Sequence, residues 1–212
     1  IAADTTGVGT ARNAPAGVGY GISGQAMFAY GYSSARTSLK NLVTNQGVVG
    51  SDVTGVGTVR HQLAAAGYGV GLAIFGYGSE ASDGRSSITN KVNINGVIAS
   101  DTSGVGTERT NIAAAGYGTD KAIFAYGQHY PNYFSLKNLV NNVGVVAADV
   151  TGVGTSRATP SAARYGNDKA IFAFGYTGSN VSVSNLVNNS GVVASDVSGV
   201  GSARRDLAAA EF

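Results

Sequence analysis

Five carboxylate and guanidinium couples carry the most obvious chemical potential in this sequence. Asp4, Asp52, Asp101, Asp149 and Asp196 are each followed eight residues later by Arg12, Arg60, Arg109, Arg157 or Arg204. Five carboxylates could form a ring of cation ligands, or each Asp could cap a turn and pair with an Arg. The structural use is favoured, because an ion pair partly buried between units costs ~3–5 kcal/mol to break from one side, against ~0–1 kcal/mol for an exposed one. The text inside each couple, as in Gly55-Val56-Gly57-Thr58, has the glycine spacing of a phosphate cradle. It lacks the third glycine of a dinucleotide fingerprint, and no Gly-Lys-Ser/Thr follows. A linker whose glycines take positive φ is the better reading. His61 and His129 fall at non-equivalent places, cysteine is absent, and neither HExxH nor Gly-x-Ser-x-Gly occurs. The expectation is therefore a protein that is not an enzyme and needs no metal or cofactor.

The elements that hold these residues repeat. The five aspartates recur every 47–49 residues, and 15 or 16 residues after the first four arginines stand Phe28, Phe75, Phe124 and Phe172. Asn41, Asn90, Asn138 and Asn185 each precede the next Asp by 11 residues. Nearly all variation in length falls between the glycine after each Phe and that Asn. A period of this size marks a repeat architecture. In the third copy, strands are expected over residues 113–117, 122–126, 135–140 and 145–149, with tight turns at 118–120 and 141–144. Each repeat thus reads as a four-stranded antiparallel meander. Its Ala- and Gly-rich first strand suits a crowded axis, and its second strand, apolar on both faces, needs a neighbour above and below.

Small-residue strand, strand ending in aromatic-Gly (Tyr30-Gly31, Tyr77-Gly78, Tyr126-Gly127, Phe174-Gly175), variable loop, third strand, fourth strand and constant linker form a layout that resembles the kelch repeat. The Gly-Gly doublet and the fourth-strand Trp of that repeat are missing. The wording of residues 121–127 and 149–155 is also similar to uncharacterised kelch-like repeat proteins of marine bacteriophages and other aquatic viruses. The resemblance implies an all-β β-propeller of four-stranded antiparallel blades and a virion-associated or extracellular setting. The chain then reads as one repeat domain, residues 1–212, with repeats roughly at 1–48, 49–97, 98–145 and 146–192 and a partial fifth, 193–212, completed by the chain ends. Glu211-Phe212 stand where earlier copies have Gly-Tyr, so the chain reads as a piece of a longer array. Splitting each period into two rungs of about 24 residues gives the rival β-solenoid.

Composition narrows the partners. A net charge of +2, from 14 basic and 12 acidic residues, gives no basic surplus for a nucleic-acid groove. Membrane insertion is not expected, since the longest uncharged apolar stretch, residues 63–78, is short of the ~20 residues of a spanning helix. Functional differences should lie in the variable loops, where the candidate binding residues are Tyr32, Arg36, Glu80, Asp83, Arg85, His129, Tyr130, Tyr133, Tyr176 and Asn180. Tyrosines beside amides and hydroxyls suit a glycan or a protein surface. Two functions follow, a structural or adhesion scaffold and a multivalent carbohydrate-binding lectin. Unpaired end strands would add self-association.

Overall fold

Short apolar runs broken by Gly and Asn become strands and tight turns throughout. The structure is a computed structural model describing residues 6–210; residues 1–5, 211 and 212 and the Asp83 side chain lie outside the described residues, and with them the expected opening strand and Asp4. The fold is all-β, and its one helical piece among the described residues is a 3-10 turn at Ala81–Asp83 in the second variable loop. The first repeat forms β1 (Ala16–Tyr20), β2 (Gln25–Ala29) and β3 (Lys40–Val43). The second forms β4 (Ala64–Tyr68), β5 (Leu72–Gly76) and β6 (Thr89–Val92). The third forms β7 (Ala113–Tyr117), β8 (Lys121–Ala125), a loop hairpin of β9 (Gln128–His129) and β10 (Asn132–Tyr133), and β11 (Lys137–Val140). The fourth forms β12 (Ser161–Tyr165), β13 (Lys169–Tyr176) and β14 (Asn180–Val187). Each repeat is an antiparallel meander with its second strand in the middle.

These sheets have three strands where the sequence predicts four. The expected fourth strand runs beside the third but touches it only through isolated bridges, Val140↔Val146 and Lys137↔Val150 in the third repeat. Two causes are visible. The two bridges differ in register by one residue, the signature of a bulge. Between them the Asn138 side chain donates to the Ala147 carbonyl, 3.1 Å, taking a bond that a ladder would give to backbone. The turn before this segment follows its sequence, with the Asn141 Oδ1 accepting from the amides of Val143 and Val145 and Gly144 at φ 74°.

Burial follows the position of the sheet. Ile74 and Phe75 of β5, and Ile123 and Phe124 of β8, are fully buried although they point to opposite faces. Phe28, the equivalent of Phe75 in the first repeat, is 46% exposed. Neighbouring sheets meet through rings, Tyr30 on Phe75, Tyr77 on Phe124 and Tyr126 on Phe172, with centroids 5.2–5.4 Å apart. First strands pack on one another in the order β1, β4, β7, β12. Just before them, the amides of Gln62, Asn111 and Thr159 donate to the carbonyls of Ala14, Gln62 and Asn111, linking equivalent residues of successive repeats. Ala14, Gln62, Asn111, Thr159 and Asp206 all take positive φ, 46–56°, and all line one cavity of about 220 Å³. Past it, residues 207–210 join no strand, and the Ser161 hydroxyl donates to the Leu207 carbonyl.

Candidate functional site

The repeated polar residues form a lock, but not between partners eight residues apart. Each Arg donates to the Asn 28–30 residues after it, and that Asn donates to the Asp 11 residues further on: Arg12 to Asn41 to Asp52, Arg60 to Asn90 to Asp101, Arg109 to Asn138 to Asp149, Arg157 to Asn185 to Asp196. The linker carries the Arg into the next repeat while the Asp stays behind, closing on the linker threonine of its own repeat. In the third repeat the Arg109 Nη2 donates to Asn138 Oδ1, Asn138 Nδ2 donates to Asp149 Oδ1 at 2.9 Å, and Asp149 Oδ2 accepts from the amide and hydroxyl of Thr107. Arg12 and Asp52 also approach to 3.5 Å as an ion pair. Arg204, in the partial fifth copy, stacks on Phe174 at 4.3 Å.

The two linker glycines serve different needs. Gly106 has φ 78°, and a Cβ there would collide with Asp149 Oδ1 and with Asn138 Nδ2. Gly104 has no such φ but passes so close to Ser87 that no side chain fits. Neither faces an open phosphate-sized cradle.

The same lock joins neighbouring repeats. Arg60, Arg109 and Arg157 are fully buried and lie over Tyr30, Tyr77 and Tyr126 of the preceding repeat, 3.9–4.9 Å from the ring centroids. The arginine carbonyls accept from the amides of Gly31, Gly78 and Gly127. The Asn amides and Asp carboxylates of this constellation, and the guanidinium Nη atoms that meet them, are spent on other protein groups, while the Nε of Arg12, Arg60 and Arg157 is buried without a hydrogen-bond partner among the described residues; it has the anatomy of a strut.

The aspartates make that strut sensitive to acid. At Asp101, Asp149 and Asp196 burial alone would raise the carboxyl pKa, but hydrogen bonds from Asn and Thr and the nearby guanidinium outweigh it and hold the pKa below the ordinary value. At Asp52 the Thr10 and Asn41 hydrogen bonds lead, with the same net direction. A carboxylate depressed in the folded state stabilises above its unfolded-state pKa and loses that contribution as pH falls through the folded value. Melting temperature is expected to stay level from neutral pH to about pH 5 and to fall below about pH 4, with a shallower fall in Asp149→Asn. Scanning calorimetry across pH 2.5–7 measures both curves; an unchanged slope would remove Asp149 from the acid response.

Of the loop candidates, the structure gathers three. Tyr130, Tyr133 and Tyr176 line one cleft of about 340 Å³ together with Gln62, Asn111 and Gln128. Thr159, Ala158 and the Arg205–Asp206 pair, 3.3 Å apart, complete its wall. Tyr133 meets Tyr176 edge-on at 6.1 Å, and the Arg205 guanidinium lies 4.2 Å over the Tyr176 ring. The β9–β10 hairpin presents Tyr130, which is 71% exposed. The remaining candidates lie elsewhere. Tyr32 leans on His61 at 5.6 Å, Arg36 donates to the Ser79 hydroxyl, and Glu80 and Arg85 flank the 3-10 turn of the second loop. His129 is half-buried in β9, and Asn180 is exposed opposite Tyr176.

Sequence reasoning missed Gln62, Asn111, Thr159, Arg205 and Asp206. The signal was present: the two positions after each repeated Arg read Asn-Ala, His-Gln, Thr-Asn, Ala-Thr and Arg-Asp, while the text on either side is nearly constant. No protein-family model and no curated protein matches the chain.

Proposed function

We propose that the chain is a kelch-like β-propeller segment that works as a non-enzymatic structural or adhesion module, in a virion-associated or extracellular setting, and engages its partner through variable loops. One observation carries this reading. The recurring polar side chains are consumed in locks within and between repeats, whereas the residues that vary from copy to copy meet at a cleft open to solvent. A radial arrangement is supported by the cavity that all five equivalent left-handed residues line, and by a second cavity of about 250 Å³ lined by Gly19, Gly67, Gly116 and Arg164, the same position in four repeats. Equivalent residues strung along a rod would not share two cavities.

The lectin reading draws support in a single-site form. The spaces between repeats, where equivalent sugar pockets would sit, are filled by Arg60, Arg109 and Arg157 and the rings they cover. Small-angle scattering with sedimentation velocity tests the architecture: a compact monomer should give a radius of gyration of about 17 Å. A much larger value at monomer mass, with a rod-like cross-section, would replace the propeller by a solenoid. Self-association at higher protein concentration would support the scaffold role.

A further inference from the structure

We infer that the tyrosine cleft is a binding site for one uncharged carbohydrate per chain, resting on the reading of the molecule as a binding scaffold. Its size comes first. At about 340 Å³ it lies at the lower end of small-molecule sites, room for one or two sugar rings rather than for a peptide. Its chemistry is mixed in a particular way. Three tyrosines supply flat apolar faces, and Gln62, Asn111 and Gln128 supply amides that both donate and accept. A pyranose has that same division, with C–H groups on its ring face and hydroxyls around its rim that each donate and accept.

The backbone leaves these side chains free for such a task. The amides of Asn111 and Thr159 are spent on the inter-repeat chain of hydrogen bonds, and Gln128 and Thr110 exchange both backbone bonds. Thr159 lines both this cleft and the neighbouring cavity, and its buried hydroxyl, closed off from solvent, is not among the ligand-facing groups. Charge decides between sugar classes. Arg205, the cation of the cleft, is already paired with Asp206 and stacked on Tyr176, so the site offers no unbalanced positive charge to a sulfate or a sialic acid. An apolar ligand would leave the three amides of Gln62, Asn111 and Gln128 unanswered.

The site is also singular. Tyr133 and Tyr176 belong to the third and fourth repeats, Arg205 and Asp206 to the partial fifth, and no other junction combines these residues. The experiment prints neutral, sialylated and sulfated glycans on one array and probes them with the intact chain, then with Tyr130→Ala, Asn111→Asp and the first-loop control Tyr32→Ala. Tyr130 is exposed enough for its loss to spare folding, and Asn111→Asp keeps a residue suited to positive φ while removing the amide donor. Neutral hits, about tenfold weaker in both cleft variants and unchanged in Tyr32→Ala, with calorimetric stoichiometry near one, are expected. Hits that survive both variants, hits confined to charged glycans, a stoichiometry near four, or silence on the array would each overturn the proposal. None of these outcomes touches the scaffold reading, which scattering and sedimentation test separately.

Discussion

Replacing Arg109 by Ala is expected to destabilise the protein by about 3–5 kcal/mol, or about 6–20 °C in melting temperature for a chain of this size. Arg109 is fully buried and makes hydrogen bonds in four directions, to Asn138 Oδ1 and to the carbonyls of Thr107, Tyr126 and Leu136. Deleting it removes the guanidinium donors from those acceptors in a water-poor space, with only the Leu136 carbonyl keeping a second donor in the Tyr126 amide, strips the cation from beside Asp149 and uncovers the Tyr77 ring. Asp101→Ala should cost less, about 1–2 kcal/mol, because Asp101 is exposed and water can replace it toward Thr58 and Asn90. Glu80→Ala, in a loop, should change stability by no more than about 0.5 kcal/mol. Urea unfolding of the three variants gives the order directly. If Arg109→Ala ranks with Glu80→Ala, the buried guanidinium is not what holds the repeats together.

The pairing behind that order departs from the one the sequence suggests. Eight residues separate Asp52 from Arg60, and sequence proximity makes them look like partners. Yet the positive-φ Gly57 and the close-packed Gly55 let the linker leave one repeat and enter the next, so Asp52 answers Arg12 and Asp101 answers Arg60. The period, the three ladder strands and the turn at Asn141 were legible because each depends on residues close together in the chain. The fourth strand was not, since Val145 and Val146 look like strand residues while the side chain that interrupts their ladder, Asn138, belongs to another segment. The cleft was half legible. Its tyrosines stand out in loops of variable length, but Gln62 and Asn111 reach it only because successive repeats hydrogen-bond through equivalent residues, a relation that no single repeat contains.

Tyr77 offers a sharper test of how the repeats are joined, through a reversal of the usual ranking of Gly and Ala. Its φ is 64°, and Tyr30, Tyr126 and Phe174 share that left-handed value. A bulky residue holds such a backbone only at a cost of about 1–3 kcal/mol, met by surrounding contacts. Those contacts are visible: the ring is fully buried, tilted against Phe124 at 5.2 Å and covered by Arg109, and its hydroxyl donates to the Val105 carbonyl. Burial, opposed in part by Arg109, pushes the Tyr77 hydroxyl up to about 12, so it stays a donor at neutral pH. The left-handed turn is what aims the ring out of its own sheet at the next. Tyr77→Phe should lose only the hydroxyl bond, about 0.5–1.5 kcal/mol, as Phe174 at the equivalent place suggests. Tyr77→Ala should lose the ring's packing, about 3–5 kcal/mol, and keep the strain. Tyr77→Gly loses the same ring but relaxes the backbone, and should be more stable than Tyr77→Ala by about 1 kcal/mol, although Gly inside an ordinary strand is the less stable of the two. Denaturant midpoints at constant m-value decide it. If the Ala variant is the more stable, the aromatic positions carry no backbone strain, and the joint between repeats rests on ring packing alone.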